Sequence, residues 1–106
     1  MIYGLIAHLY RQREFSVRTC GPGERVESTL QHLAKELDEV RADPRDITGW
    51  IDIVLLGLDG AMRAGNTPET VAAYLRTKLS VNERRDWPDW RTHPTTQAIE
   101  HVRKEV

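Results

Sequence analysis

The sequence predicts an all-α fold. Apolar residues recur every three or four positions through four segments, Gly, Pro and Asp signals fall between those segments, and no stretch sustains the two-residue alternation of a strand. At 106 residues, with no Ser, Gly or Pro tract to act as a linker, the chain is expected to form one domain over residues 1–106.

Leu5, Ile6, Leu9 and Tyr10 are helically spaced, which predicts a short amphipathic helix over Ile2 to Glu14, followed by a loop from Ser16 to Glu24 around Gly21-Pro22-Gly23. Between Arg25 and Ala42, the residues Leu30, Leu33, Ala34, Leu37 and Val40 form one stripe and predict a second helix. Asp43-Pro44 ends it, because the residue before a proline avoids the helical region, and Asp46 is placed to cap the next helix. From Ile47 to Met62 almost no polar face is left, so this helix is expected to be buried on nearly every side. Gly65-Asn66-Thr67-Pro68 reads as a helix end and turn, with Thr67 as the next N-cap and Pro68 at the first helical position, and Glu69 to Arg85 follows as a long helix. Asp86 to Pro94, with two prolines and two tryptophans, predicts a packed irregular segment, and Thr95 to Lys104 a last short helix.

Composition narrows the function. A net charge of -1, from 15 basic and 16 acidic residues, gives no electrostatic footprint for a DNA or RNA polymer. Cys20 is the only cysteine, which rules out an internal disulfide and a Cys-based zinc site and suits a reducing cytoplasm. The apolar start lacks a basic n-region and a small-residue cleavage site, so no export signal is expected. No uncharged stretch approaches the ~20 residues that a membrane helix needs. A domain this small buries a modest fraction of its surface, which favours partner subunits.

Glu36 and Glu39 are three apart, so on a helix their carboxylates are neighbours, and His32 falls angularly between them. The pair lies on the flank of the Leu30, Leu33, Leu37 stripe, at the rim of the expected core. Carboxylates held together repel unless positive charge sits between them, and a hard cation with oxygen ligands fills that role; otherwise such a pair is a solvated charged face. Asp52 and Asp59 are seven apart on one side of the apolar Ile47 to Met62 segment. Burying an uncompensated carboxylate costs on the order of several kcal/mol, so each needs an Arg, a backbone cap or a metal. Glu36, Glu39 and Asp52 meeting across two antiparallel helices would form a Mg2+ site. Lys78, Asn82 and Arg85 recur at i, i+4 and i+7 beside Val71, Leu75 and Leu79, where they would either neutralise carboxylates or clamp phosphate oxygens. Such acidic and basic faces suit a metal-bound triphosphate. Trp87 and Trp90 either stack on a base or close the core. Gly21-Pro22-Gly23 lacks the spacing and Lys of a phosphate loop, and Cys20 has no positioned base.

These residues resemble the MazG-like nucleotide pyrophosphohydrolases, in the MazZ-like branch that acts on dATP and dGTP. The likeness covers most of the chain. It rests on Phe15-Ser16-x-Arg18-Thr19-x-Gly21-Pro22-Gly23, His32-x-x-Lys35-Glu36-Leu37-x-Glu39, Trp50-x-Asp52, Leu58-Asp59-Gly60-Ala61-x-Arg63-Ala64-Gly65 and Asn82-x-x-Arg85-x-Trp87-Pro88-Asp89-Trp90-Arg91-Thr92. The resemblance implies a MazG-like helical bundle that assembles as a homodimer or homotetramer in the cytoplasm of a bacterium or a phage-infected host. It also implies Mg2+-dependent cleavage, with Mn2+ accepted, between the α and β phosphates of a purine (deoxy)nucleoside triphosphate, releasing pyrophosphate. Glu36, Glu39 and Asp52 would be catalytic and would hold the metal together with Asp59, while Lys78, Asn82 and Arg85 would bind substrate. One specialisation is the supply of dGMP for phage DNA that contains 2-aminoadenine. The family's acidic pattern is E-x-x-E followed by E-x-x-D, and the third acid is replaced here by Gly49. Three consequences are open: a weakened metal site, ligation moved to Asp59 or Asp46, or a remaining set that suffices. The alternative function is a catalytically weakened bundle that binds a nucleotide or a protein.

Overall fold

The computed structural model describes residues 3–103. It is all-α, with helices α1 (Leu5–Cys20), α2 (Val26–Ala42), α3 (Ile47–Arg63) and α4 (Pro68–Arg84), then a single 3-10 turn at Trp90–Thr92. No strand occurs among the described residues, and none of their helices is long and apolar enough to cross a membrane. The described residues form two compact units that divide within α4, between Ala73 and Tyr74.

In the first unit, α1 runs past Glu14, where the sequence predicted its end, and takes in the residues assigned to the loop. No helix breaker occurs before Gly21, whose φ of 84° ends the helix, and the connection shrinks to five residues, 21–25. Ser16 is therefore a buried helical residue, while Cys20, the last residue of α1, is exposed. The predicted start at Ile2 lies outside the described residues.

α2 and α3 are joined by a short turn at Asp43-Pro44-Arg45-Asp46, and Asp46 caps α3 as expected. Its Oδ1 accepts from Thr48 N at 2.9 Å and from Thr48 Oγ1 at 2.7 Å, bonds that hold its carboxyl below the usual range. The two helices pack closely. A Cβ at Gly49 would meet Val40 Cγ2 at 2.9 Å, and one at Gly60 would meet Thr29 Cγ2 at 3.6 Å. Val40 to Thr29 and Gly49 to Gly60 are equal steps in opposite directions, so this is an antiparallel seam in which Glu36 is level with Ile53 and Leu33 with Leu56.

That register corrects the expected stripe. The side of α2 that is turned inward carries Thr29, Leu33, Glu36 and Val40, whereas Leu30 and Leu37 are about half exposed, at 51% and 47%. α3 is also less covered than its sequence suggested. α1 and α2 pack against it, yet Ile47, Trp50, Ile51 and Val54 stay exposed, because an apolar girdle needs more neighbours than this unit supplies. The buried core is Leu9, Met62 and Val71, flanked by Leu58, Ala61 and Ala72. Gly65, at φ 104°, ends α3, Thr67 Oγ1 caps α4 by accepting from Thr70 N at 3.1 Å, and Pro68 is fully buried as its first residue. The Tyr10 hydroxyl donates to the Glu69 carboxylate, tying α1 to the first turn of α4.

The second unit contains the rest of α4 and the C-terminal segment. Trp87 Nε1 donates to Asn82 O at 2.7 Å, the Trp87 ring meets His101 edge-on at 6.0 Å, and Val102 N donates to Asp86 O at 2.7 Å. The helix expected over Thr95 to Lys104 is not formed through residue 103; Lys104 lies outside the described residues. A segment this short is marginal as a helix without a packed face, and its β-branched Thr95 and Thr96 directly follow a proline. The tryptophan segment is irregular as predicted, but Trp90 stays 71% exposed rather than closing a core.

Candidate active site

Glu36 is only 6% exposed, although it is a carboxylate. Its helix places it on the inward face of α2, between Leu33 and Val40, rather than at the rim where the sequence put it. Its pKa is raised. The Glu39 carboxyl beside it is the largest cause, followed by burial, then by the charges of Glu39 and Asp52; His32 acts in the opposite direction. Thus the three acids expected to act together are electrostatic neighbours across α2 and α3. His32 Nε2 lies 3.3 Å from a Glu36 carboxylate oxygen, Oε1. The other oxygen, Oε2, is buried and has no hydrogen-bond partner. Its carboxylate neighbour satisfies it only when one of the two carries a proton, since ionised carboxylates solely accept. Glu39 and Asp52 are exposed.

The other acids considered from sequence are engaged elsewhere. Asp46 holds its cap, and Asp59 Oδ2 lies 3.1 Å from Arg63 Nε, two turns along α3 from Asp52. Arg63 is a hub that sequence reasoning missed. Its Nη1 donates to Gly23 O at 2.8 Å and its Nη2 to Ser16 Oγ at 2.8 Å and Ser16 O at 3.2 Å, so one nearly buried guanidinium ties α3 to α1 and to the glycine loop. The available signal was an Asp and an Arg four apart at the end of an apolar helix.

In the second unit, Arg85, the residue just after α4, donates from Nη1 to Asn82 Oδ1 on the last turn of that helix at 2.9 Å, and both residues are half-buried. Lys78 is exposed. Of the three predicted phosphate contacts, two are therefore coupled to each other.

Residues 9–105 match the family model of dATP/dGTP pyrophosphohydrolases. The chain belongs to this family. Among solved structures, it is similar to a MazG-like pyrophosphohydrolase of cyanophage S-2L, bound to dGDP and three catalytic Mn2+ ions per active site. The identity is 26% and the TM-score 0.69, over 95% of this chain and 100% of that one. No curated protein matches. The resemblance read from the motifs is thereby borne out: this member of the family is a nucleoside triphosphate pyrophosphohydrolase with the helical fold of the MazG-like enzymes.

Proposed function

We propose that the chain hydrolyses purine deoxynucleoside triphosphates, dGTP and dATP, to the monophosphate and pyrophosphate, with Mg2+ or Mn2+ held by Glu36, Glu39 and Asp52. The observation that carries this reading is the buried, donorless Oε2 of Glu36, set beside two further carboxylates. A cation would relieve the repulsion between an acid in a helix seam and its like-charged neighbours, which supports this reading. Among the described residues no three His, Cys, Asp or Glu side chains close into a ready cage. In this reading, water and substrate phosphate oxygens would complete the shell of a Mg2+ ion. The S-2L enzyme, with Mn2+ and dGDP in its active site, supports the same assignment of metal and purine.

When bound, the cation supplies Lewis acidity at the phosphates and an activated water. The protein's own part is to hold charge in place. Glu36 is fixed by its helix seam, so its oxygens need little reorganisation, while solvent-facing Glu39 and Asp52 leave room for phosphate and water. We assign Lys78, Asn82 and Arg85 to phosphate oxygens on chemical grounds: Arg offers a planar fork, Lys a point charge, and Asn82 orients Arg85. Asp59 is the weakest of the proposed ligands, since Arg63 already takes its carboxylate. The uncovered side of α3 favours a homodimer or homotetramer, and dGMP for 2-aminoadenine phage DNA is a fitting product.

The test is pyrophosphate release from dGTP, dATP, dCTP, dTTP and dUTP, with and without Mg2+ or Mn2+. Turnover of the two purines in the presence of metal is expected. A wild-type rate no higher than that of a Glu36→Ala, Glu39→Ala double variant would overturn the assignment.

A further inference from the structure

We propose that Gly49 is a positioning residue for the acid cluster. In this view its missing side chain lets α2 and α3 close on each other and sets the distance between Glu36 and Asp52. The inference rests on the reading that these two acids hold the metal.

Position 49 is where the family pattern has an acid, so a glycine there invites interpretation as a lost ligand. The packing gives a different reason. A Cβ on Gly49 would lie 2.9 Å from Val40 Cγ2, closer than real Cβ contacts come. Val40 is buried, and a β-branched side chain in a helix has essentially one rotamer, so it has no alternative place to go. Any side chain at 49 must therefore push the helices apart. Glu36 is one turn before Val40 on α2, and Asp52 one turn after Gly49 on α3. In an antiparallel pair those two steps run the same way, so a separation at 49 reaches the acids within one helical turn.

Gly60 and Gly57, on the same helix, are built-in controls. A Cβ at Gly60 makes an ordinary contact with Thr29 at 3.6 Å, and one at Gly57 meets nothing within 4 Å. All three glycines carry the same helix-propensity cost relative to alanine. Only at 49 does the missing Cβ govern the helix approach.

The experiment is titration of the full chain with Mn2+ alone, without nucleotide, followed by the EPR signal of free Mn2+, with melting curves in EDTA alongside. Gly49→Ala is expected to weaken Mn2+ binding about tenfold, the scale of losses when the support of a metal ligand is disturbed. Gly57→Ala is expected to bind like wild type. Cutting the opposing side chain should undo the defect, so Val40→Ala with Gly49→Ala is expected to bind Mn2+ as Val40→Ala alone does. That comparison stands even if the Gly49→Ala single variant fails to fold. Wild-type Mn2+ affinity in a folded Gly49→Ala variant, even one that melts lower, overturns the proposal, as does a double variant that binds more weakly than Val40→Ala. Glu36→Gln separates the two levels: if it binds Mn2+ as wild type does, the metal reading itself fails, whereas its loss of Mn2+ alongside normal binding by Gly49→Ala removes only the role of Gly49.

Discussion

His32 and Glu36 share one turn of α2 with opposite exposure: the imidazole is open to solvent, and the carboxyl 3.3 Å from it is closed off. The side chain in contact with Glu36 that can neutralise it is thus at the surface. Its carboxylate neighbours set the balance, and its pKa is raised.

Glu36→Gln should stabilise the metal-free protein. The unfolded chain releases this proton near the ordinary value of 4.5, whereas the folded chain holds it to higher pH. Between those two values the native state binds more protons, so native stability falls as pH climbs through the window and stays lowered above it. Glutamine removes that loss. In EDTA the variant is expected to melt above wild type at neutral pH, with the two curves converging below pH 4.5, and added Mn2+ should raise the melting point of wild type alone. A variant that melts below wild type in EDTA at neutral pH would contradict this.

Removing the Arg63 hub should be costly. Arg63→Met leaves Asp59 partly buried without its cation and frees Ser16 Oγ and the Gly23 carbonyl, a loss expected at roughly 3 kcal/mol in a denaturant titration. Replacing both members of the pair, Arg63→Met with Asp59→Leu, should recover part of it, because no lone charge remains buried. Equal losses in the single and double variants would show that the backbone ties, and not the ion pair, carry the effect.

Arg85→Ala should raise KM for dGTP about tenfold, the scale of a lost hydrogen bond to a charged group, with a smaller change in kcat. Asn82→Ala is expected to produce a weaker version of the same change, because Asn82 Oδ1 holds the Arg85 guanidinium. Unchanged KM in both would remove these residues from substrate binding.

Val54→Arg places a charge within the exposed apolar row of α3, where Ile47, Trp50 and Ile51 also lie. If copies of the chain associate through that row, the variant should run at monomer mass in light scattering while wild type runs at twice or four times that mass. A wild type that is itself monomeric at micromolar concentration would end the assembly reading.

Local signals in the sequence were read accurately. Asp46 and Thr67 cap their helices, Pro68 starts α4, and Gly65 ends α3, since each depends on backbone chemistry within one turn. That Glu36 has Glu39 and Asp52 as electrostatic neighbours was legible too, because the spacing puts two acids side by side on one helix and the third on the next. What escaped was rotation and reach. The leucine pattern of α2 assigned Leu30 and Leu37 to the core, yet the glycines of α3 draw in the line through Thr29, Leu33, Glu36 and Val40. Only the steric fit of Val40 on Gly49 reveals that, and it involves both helices at once. Three of the four ties of Arg63 escaped for the same reason: their acceptors, Gly23 and Ser16, lie 40 and 47 residues away, whereas an Arg partner for Asp59, four residues away, was among the readings the sequence offered. The final helix was overread because a weak pattern at the end of the chain has no packed face to stabilise it.

The lone thiol of Cys20, open to reagents at the end of α1, also gives the enzyme a ready attachment point. A maleimide spin label would modify each copy once and at a known place. In any assembly the spacing between two such labels could then be measured by pulsed resonance, with no residue altered.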